Sequence, residues 1–350
     1  PESKPLTHKL YCIPVMQPDH QTREHDEHMP DDVFFEDRIH IAVRRMFEGS
    51  GDVPAQAPTV KVINLSIGDT AREFIHTPSP WARVIDWLAY HYRVLFCISA
   101  GNYCDTINIG LTQQQFAALS DGEKISATVK AISNSLTSRR LLSPAEAMNA
   151  ITVGAAHADD SGNAYPQFGQ RVDVLPSQTL FRPATRLGFG FNRSIKPDIL
   201  MPGGRQLYNA PMQDSSTLYS VDNSIIAPGQ KVALDSKKQG VLNSEAFWRG
   251  TSNATALATR GAVRLYDMLD RLRNEEGEDI PETLMSVLMK TLLVHGAKQD
   301  DVGKQHIEQA LKDARNTHQF KQAITRYLGY GIVDIERVLT CTAQRATVLG

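Results

Sequence analysis

The 350-residue sequence predicts an α/β domain, a doubly wound and mostly parallel sheet flanked by helices. Three observations predict it. Residues 60–66, 93–99 and 150–155 are near-continuous Val, Ile, Leu and Ala runs, as expected of strands covered on both faces. Between them lie segments with apolar residues at helical spacing. Hydrophobic residues make up 41% of the chain and charged ones 22%, enough apolar surface for one large core or two ordinary ones.

The elements follow in order. Residues 10–16 read as a short buried strand, and the polar His-, Asp- and Glu-rich residues 17–32 as a loop. Residues 33–47 carry helical periodicity, with Phe34, Ile39, Ile41, Ala42 and Met46 towards one face. Strand 60–66 comes next, then helix 81–91, with Pro80 suited to its first turn. Strand 93–99 completes a β–α–β–α–β run. In such a sheet the chemistry belongs at the carboxyl ends of the strands.

Two stretches are long. Residues 103–148 hold helices near 113–119 and 124–136, and residues 204–249 read as extended surface loops or short strands. Both are expected to flank the working face and shape its cleft. A long helix follows over 254–273, an amphipathic one over 281–295, and one or two more over 304–327. Residues 1–340 form one domain, and 341–350 begin a linker or a following segment.

Composition narrows the function. A net charge of −2 exerts no strong pull on nucleic acid or an anionic membrane. No apolar run approaches the roughly 18 residues that span a bilayer. No signal peptide is present, although Pro1 in place of Met leaves export open. Cys12, Cys97, Cys104 and Cys341 are few and irregularly spaced, which reads as buried free thiols in a reducing, cytoplasmic setting. Their spacing fits no zinc pattern. His20, His25 and His28, with Asp19, Glu24, Asp26 and Glu27, form a solvated polar loop, and His157 a surface loop. No metal site is expected.

Gly250-Thr251-Ser252-Asn253-Ala254-Thr255-Ala256 is the most informative stretch. It places a serine at the mouth of a long helix, where unpaired N–H groups and the helix dipole favour developing negative charge. Alone, Gly-Thr-Ser reads most simply as a turn or N-cap. Four other segments change that reading: the strand runs Val60 to Gly68, Val94 to Asn102 and Ala150 to Ala155, each ending in small residues, and the Pro- and Gly-punctuated loop Lys196 to Gly203, which contains Lys196-Pro197-Asp198 and Pro202-Gly203. In this order they resemble the subtilisin-like serine peptidases, the subtilase family. The closing Gly329-Tyr330-Gly331-Ile332-Val333-Asp334 is also similar to the family's C-terminal segment. The resemblance covers about residues 10–339.

The resemblance implies a subtilisin-like fold, incomplete at its N-terminus, and a serine endopeptidase working through an acyl-enzyme. Ser252 would be the nucleophile. Asn102 would donate to the oxyanion together with the Ser252 N–H. Ser66, Ile67 and Gly68, with Ser99, Ala100 and Gly101, would line the primary specificity pocket and take a polypeptide substrate as an added strand. Calcium is common in the family, but no acidic loop here matches a family site, so no cofactor is expected.

The family's Asp and His do not map onto any position. No His-Gly occurs, and His8, nearest the expected direction, sits in a Thr-His-Lys context that does not match. Three alternatives stand: the Asp and His lie upstream in a longer protein, whose N-terminal part is then a partner of this chain; the chain is an inactive peptide-binding module; or another His is recruited. An esterase elbow is disfavoured, because Gly250-Thr251-Ser252-Asn253-Ala254 lacks the last Gly.

Overall fold

A computed structural model of the chain describes residues 7–21, 27–162, 170–234, 236, 239–275, 279–312 and 317–340. Its central sheet contains β1 (Val62–Leu65), β2 (Leu95–Ser99), β3 (Ile151–Ala156), β4 (Ile199–Pro202), β5 (Ala297–Lys298) and β6 (Ile332–Val333). Their order is β5-β6-β4-β3-β2-β1. All neighbours are parallel except β5 and β6. The register sets Leu65 against Ile98 and Ser99 against Val153, so the carboxyl ends of β1, β2 and β3 lie side by side.

The helices are α1 (Phe35–Phe47), α2 (Pro80–Tyr92), α3 (Gln113–Ala117), α4 (Asp121–Asn134), α5 (Thr251–Glu275), α6 (Met285–Gly296), α7 (Asp301–Leu311), α8 (Thr317–Leu328) and α9 (Ile335–Leu339). Strand alternation explains how both faces of the sheet are covered. In β2, Phe96 and Ile98 join one core with Trp81, Ala82, Ile85 and Leu88 of α2 and with Ile39 and Val43 of α1. Leu95 and Cys97 join the opposite core with α5 and α6. All five β2 residues are buried, which is why this run carries no polar alternation.

The buried stripe of α5 reads Thr251, Ala254, Thr255, Ala258, Gly261, Ala262, Leu265 and Leu269. Its first half is small, so the helix start lies close to the sheet. At the other end of the sheet, Lys196 is 1% exposed and donates to Asp198 at 2.7 Å and to Thr152 Oγ1 at 2.9 Å. The Thr152 N–H donates to the same carboxylate at 2.6 Å. The Lys-Pro-Asp segment thus pins the entrance of β4 to β3, and residues 199–202, expected within a loop, form a strand of the central sheet.

Several expectations need correction. Residues 10–16 form no strand: they join no ladder, and Leu10 is 86% exposed. Among the described residues β1 is left as the edge strand of the sheet, and residues 10–16 do not add to it. The polar loop after them contains a small hairpin, Gln17–Pro18 against Glu27–His28. On α1, Phe34 and Ile41 face solvent and Val43 is buried in their place. Residues 204–249 form the short strands expected as one alternative, but part of the segment is interior rather than surface. The strands Tyr208–Asn209 and Leu218–Val221 join Arg171–Val172 and Ile107–Asn108 in a four-stranded sheet. Tyr208 and Tyr219 are fully buried there, in a third core shared with α4 and α7. The two long stretches are therefore tied together by the pairing of Ile107–Asn108 with Leu218–Val221.

Candidate active site

The site is built at the carboxyl ends of β1 and β2, opposite the start of α5. Beyond β2 the backbone turns at Gly101, whose φ is +97°. A Cβ there would meet Leu142 Cγ at 3.0 Å and Arg186 Cδ at 3.1 Å, so only glycine fits. The Leu142 side chain also packs against Gly68, so the segments Ser66-Ile67-Gly68 and Ser99-Ala100-Gly101 meet across one buried leucine.

Asn102 leaves this turn paired with Thr185 in an isolated antiparallel bridge. The Arg186 N–H donates to Gly101 O at 3.0 Å, and the Tyr103 N–H to Ala184 O at 2.8 Å. Arg186 Nε holds the Asn102 backbone oxygen at 3.1 Å. The side-chain oxygen Oδ1 accepts from Arg182 Nη1 at 2.8 Å, from the Thr251 N–H at 3.1 Å and from the Thr251 hydroxyl at 3.3 Å. Three donors on one atom settle which end of the carboxamide is oxygen. Nδ2 is left with no acceptor among the described residues. It stands 3.4 Å from where a Cβ on Gly250 would be.

Ser252 follows Thr251 in the first turn of α5 and is half-buried. The loop before it is braced from the sheet: the Gly250 N–H donates to Gly203 O at 2.8 Å, and the Gly203 N–H to Ala156 O at 3.0 Å. The approach is close, since a Cβ on Gly203 would lie 2.4 Å from Ala155 Cβ. The fold thus brings Ser252 and Asn102 to one place. It sets beside them the first-turn N–H of Ser252, a donor suited to a developing oxyanion.

Among the described residues no base is bonded to them. Among the described residues the Ser252 hydroxyl has no hydrogen-bond partner. His8 pairs with Asp267 on the exposed side of α5, 15 residues and so roughly 22 Å along the helix from Ser252. His157 is no surface residue: it is fully buried, accepts the Gln206 N–H at Nδ1 (3.2 Å) and bonds Asp173 at Nε2 (3.0 Å). Burial pushes the Asp173 carboxyl up, but His157, the Leu175 N–H and Arg205 outweigh this and hold it below the usual range. His28 lies 3.3 Å from the Gln17 amide, and His25 is outside the described residues. Among the described residues no group of three His, Cys, Asp or Glu could hold a metal ion.

The thiols differ from expectation. Cys97 is buried, and burial pushes its thiol up to about 12. Cys12 and Cys104 are free but exposed, because their segments run outside the sheet. Cys341 lies outside the described residues. A cleft of about 560 Å³ lined by His40, Arg44, Trp87 and His91 opens between α1 and α2, sharing no residue with the Ser252 site.

Arg182, Arg186 and Gln206 are the residues that reading along the chain misses. Nothing in Leu180-Phe181-Arg182-Pro183-Ala184-Thr185-Arg186 marks it as a neighbour of Asn102. Burial pushes Arg182 down to about 10, so it is still a cation at neutral pH.

A family model described as the Subtilase family matches residues 45–331. A curated relative, the uncharacterized protein y4bN of Sinorhizobium fredii (strain NBRC 101917 / NGR234), is 28% identical over 154 residues, 43% of this chain and 32% of the relative. The chain therefore spans about a third of that relative's length in the match. Among solved structures, proteases from Pseudoalteromonas arctica PAMC 21717 align with a TM-score of 0.44 at 14% identity, over 86% of this chain and 57% of theirs. The prenylagaramide maturation protease PagA aligns with a TM-score of 0.40 at 15% identity, over 88% and 68%.

Proposed function

The chain belongs to the subtilase family, and from that premise we propose that it carries the nucleophile and the oxyanion donors of a serine endopeptidase. Ser252 attacks the carbonyl carbon of a peptide bond, and its proton passes to a base. The carbonyl electron pair moves onto oxygen, where Asn102 Nδ2 and the Ser252 N–H receive it. The tetrahedral carbon collapses with loss of the protonated amine, and water releases the acyl group from Ser252. Ser66, Ile67 and Gly68 take the polypeptide as an added extended strand; Ser99, Ala100 and Gly101, expected to share that role, are buried, and the Ala100 and Gly101 oxygens already accept the Leu142 and Arg186 N–H groups. The general base and its orienting carboxylate come from residues beyond this chain, in the proposed N-terminal part of a longer protein.

One observation carries the reading: the carboxamide oxygen of Asn102 is bonded to the N–H of Thr251, the residue before Ser252, so its amide nitrogen is presented beside the serine. A fluorophosphonate probe tests it. The intact protein should be labelled on Ser252, and Ser252→Ala should abolish labelling. Folded, intact protein that takes no label would instead support a peptide-binding module without catalysis. That second reading is favoured by the absence of any partner on the Ser252 hydroxyl among the described residues.

A further inference from the structure

Arg182 is 3% exposed and has no carboxylate partner among the described residues. Its guanidinium donates to Asn102 Oδ1 at 2.8 Å and to Gln206 Oε1 at 2.5 Å, and its Nε is buried with no acceptor. Gln206 is in turn fastened through its amide nitrogen to the backbone oxygens of Leu207 and Asp222, both at 2.8 Å. A buried cation without a counter-charge, with one donor orphaned, costs stability rather than adding to it. The residue therefore calls for an explanation other than packing, and its one functional neighbour is the Asn102 side chain.

We propose that Arg182 is a positioning residue for acyl transfer, gripping the Asn102 carboxamide by its oxygen so that Nδ2 is presented, and polarised, towards the oxygen of the scissile carbonyl. This rests on the reading of Ser252 and Asn102 as nucleophile and oxyanion donor. Arg182 does not touch the substrate. It withdraws electron density from Oδ1, which leaves the N–H groups of the same amide more positive and better donors. The carbonyl oxygen becomes an anion only after the Ser252 oxygen has bonded to carbon. At that moment the buried cation gains the opposite charge that the resting site lacks, so the interaction is stronger in the transition state than before it.

The test uses the intact protein and a fluorophosphonate probe, separating the maximal labelling rate from the half-saturating probe concentration. Arg182→Met is expected to lower the maximal rate about tenfold, with half-saturation unchanged within about twofold. Arg182→Lys, which keeps the cation but loses the planar fork of the guanidinium, should recover part of the loss. It also serves the comparison if Arg182→Met does not fold. In an Asn102→Ala background, Arg182→Met should cost nothing further. Labelling of Arg182→Met at the wild-type rate, or a full additive loss in the double variant, would overturn the proposal.

A second readout does not depend on catalysis: the side-chain amide signals of Asn102 in ¹H–¹⁵N spectra. They are expected to shift in both Arg182 variants, and unchanged signals would overturn the link. Wild-type protein that takes no label, with those signals still shifting, would sink the catalytic reading while leaving the Arg182–Asn102 coupling in place.

Discussion

Thr251 donates both its backbone N–H and its hydroxyl to Oδ1 of Asn102, a residue 149 positions earlier in the chain. The bond ties the end of β2 to the start of α5. It aligns two features that each have an ordinary structural explanation alone, a Gly-Asn turn and a Gly-Thr-Ser helix start.

If Nδ2 of Asn102 is an oxyanion donor, Asn102→Ala should slow labelling of Ser252 or peptide turnover by about 10²–10³-fold, the range for losing one such donor. The Ser252 hydroxyl and the fold should persist, as judged by an unchanged circular dichroism spectrum. A loss smaller than fivefold in folded protein would remove Asn102 from the chemistry.

Gly101→Ala places a side chain at φ +97° and against Leu142 and Arg186. It should cost about 1–3 kcal/mol in denaturant unfolding. Leu142→Ala in the same background should relieve the steric part of this cost but not the backbone part. Full recovery in the double variant would show that the backbone conformation is not the constraint.

Asp222 provides a pH-dependent test. Burial raises its carboxyl, but bonds from the Ser224 N–H and hydroxyl, and the Arg171 guanidinium at 2.8 Å, outweigh this and hold it below the usual range. A depressed carboxyl contributes stability that is present above its unfolded value of about 3.9 and is lost as pH falls through the folded value. Asp222→Asn should therefore destabilise the protein by about 3 kcal/mol at pH 7. The difference from wild type should shrink as pH drops below about 3.9. A pH-independent penalty would contradict the ion pair.

The thiols should react in sequence. Cys12 and Cys104 are exposed and should be alkylated in native protein at pH 8, whereas Cys97, held protonated up to about 12, should react only on unfolding. The sign of the pH effect follows. The folded state keeps a proton that an unfolded thiol loses near pH 8.5, so Cys97 makes stability fall as pH rises above that value. Peptide mapping by mass spectrometry reads each site. Native labelling of Cys97 would show that its core opens.

Much of the sheet was legible because its strands are buried on both faces and carry no polar alternation. β2 and β3 lie within one or two residues of the expected runs. α2 was legible from its Pro80 start, and the structure adds Ser79 as its cap, accepting the Ala82 N–H at 3.0 Å. Residues 10–16 misled because an apolar run marks a preference for burial but not which segment, if any, it will pair with. Tyr208 and Tyr219 were hidden for the opposite reason: polar neighbours masked two rings that fill the third core.

By itself, the order of residues along the chain determined three central strands and the long small-residue helix, because periodicity is a local property, and the order of its motifs nominated Ser252 and Asn102 through the family resemblance. Only the tertiary structure decided that Oδ1 of Asn102 is held by Thr251 and Arg182, that Leu142 closes the space between Gly68 and Gly101, and that His157 is sealed in the interior. Those outcomes depend on which distant segments the parallel crossovers bring together. Contacts between segments tens of residues apart leave no mark on either segment alone.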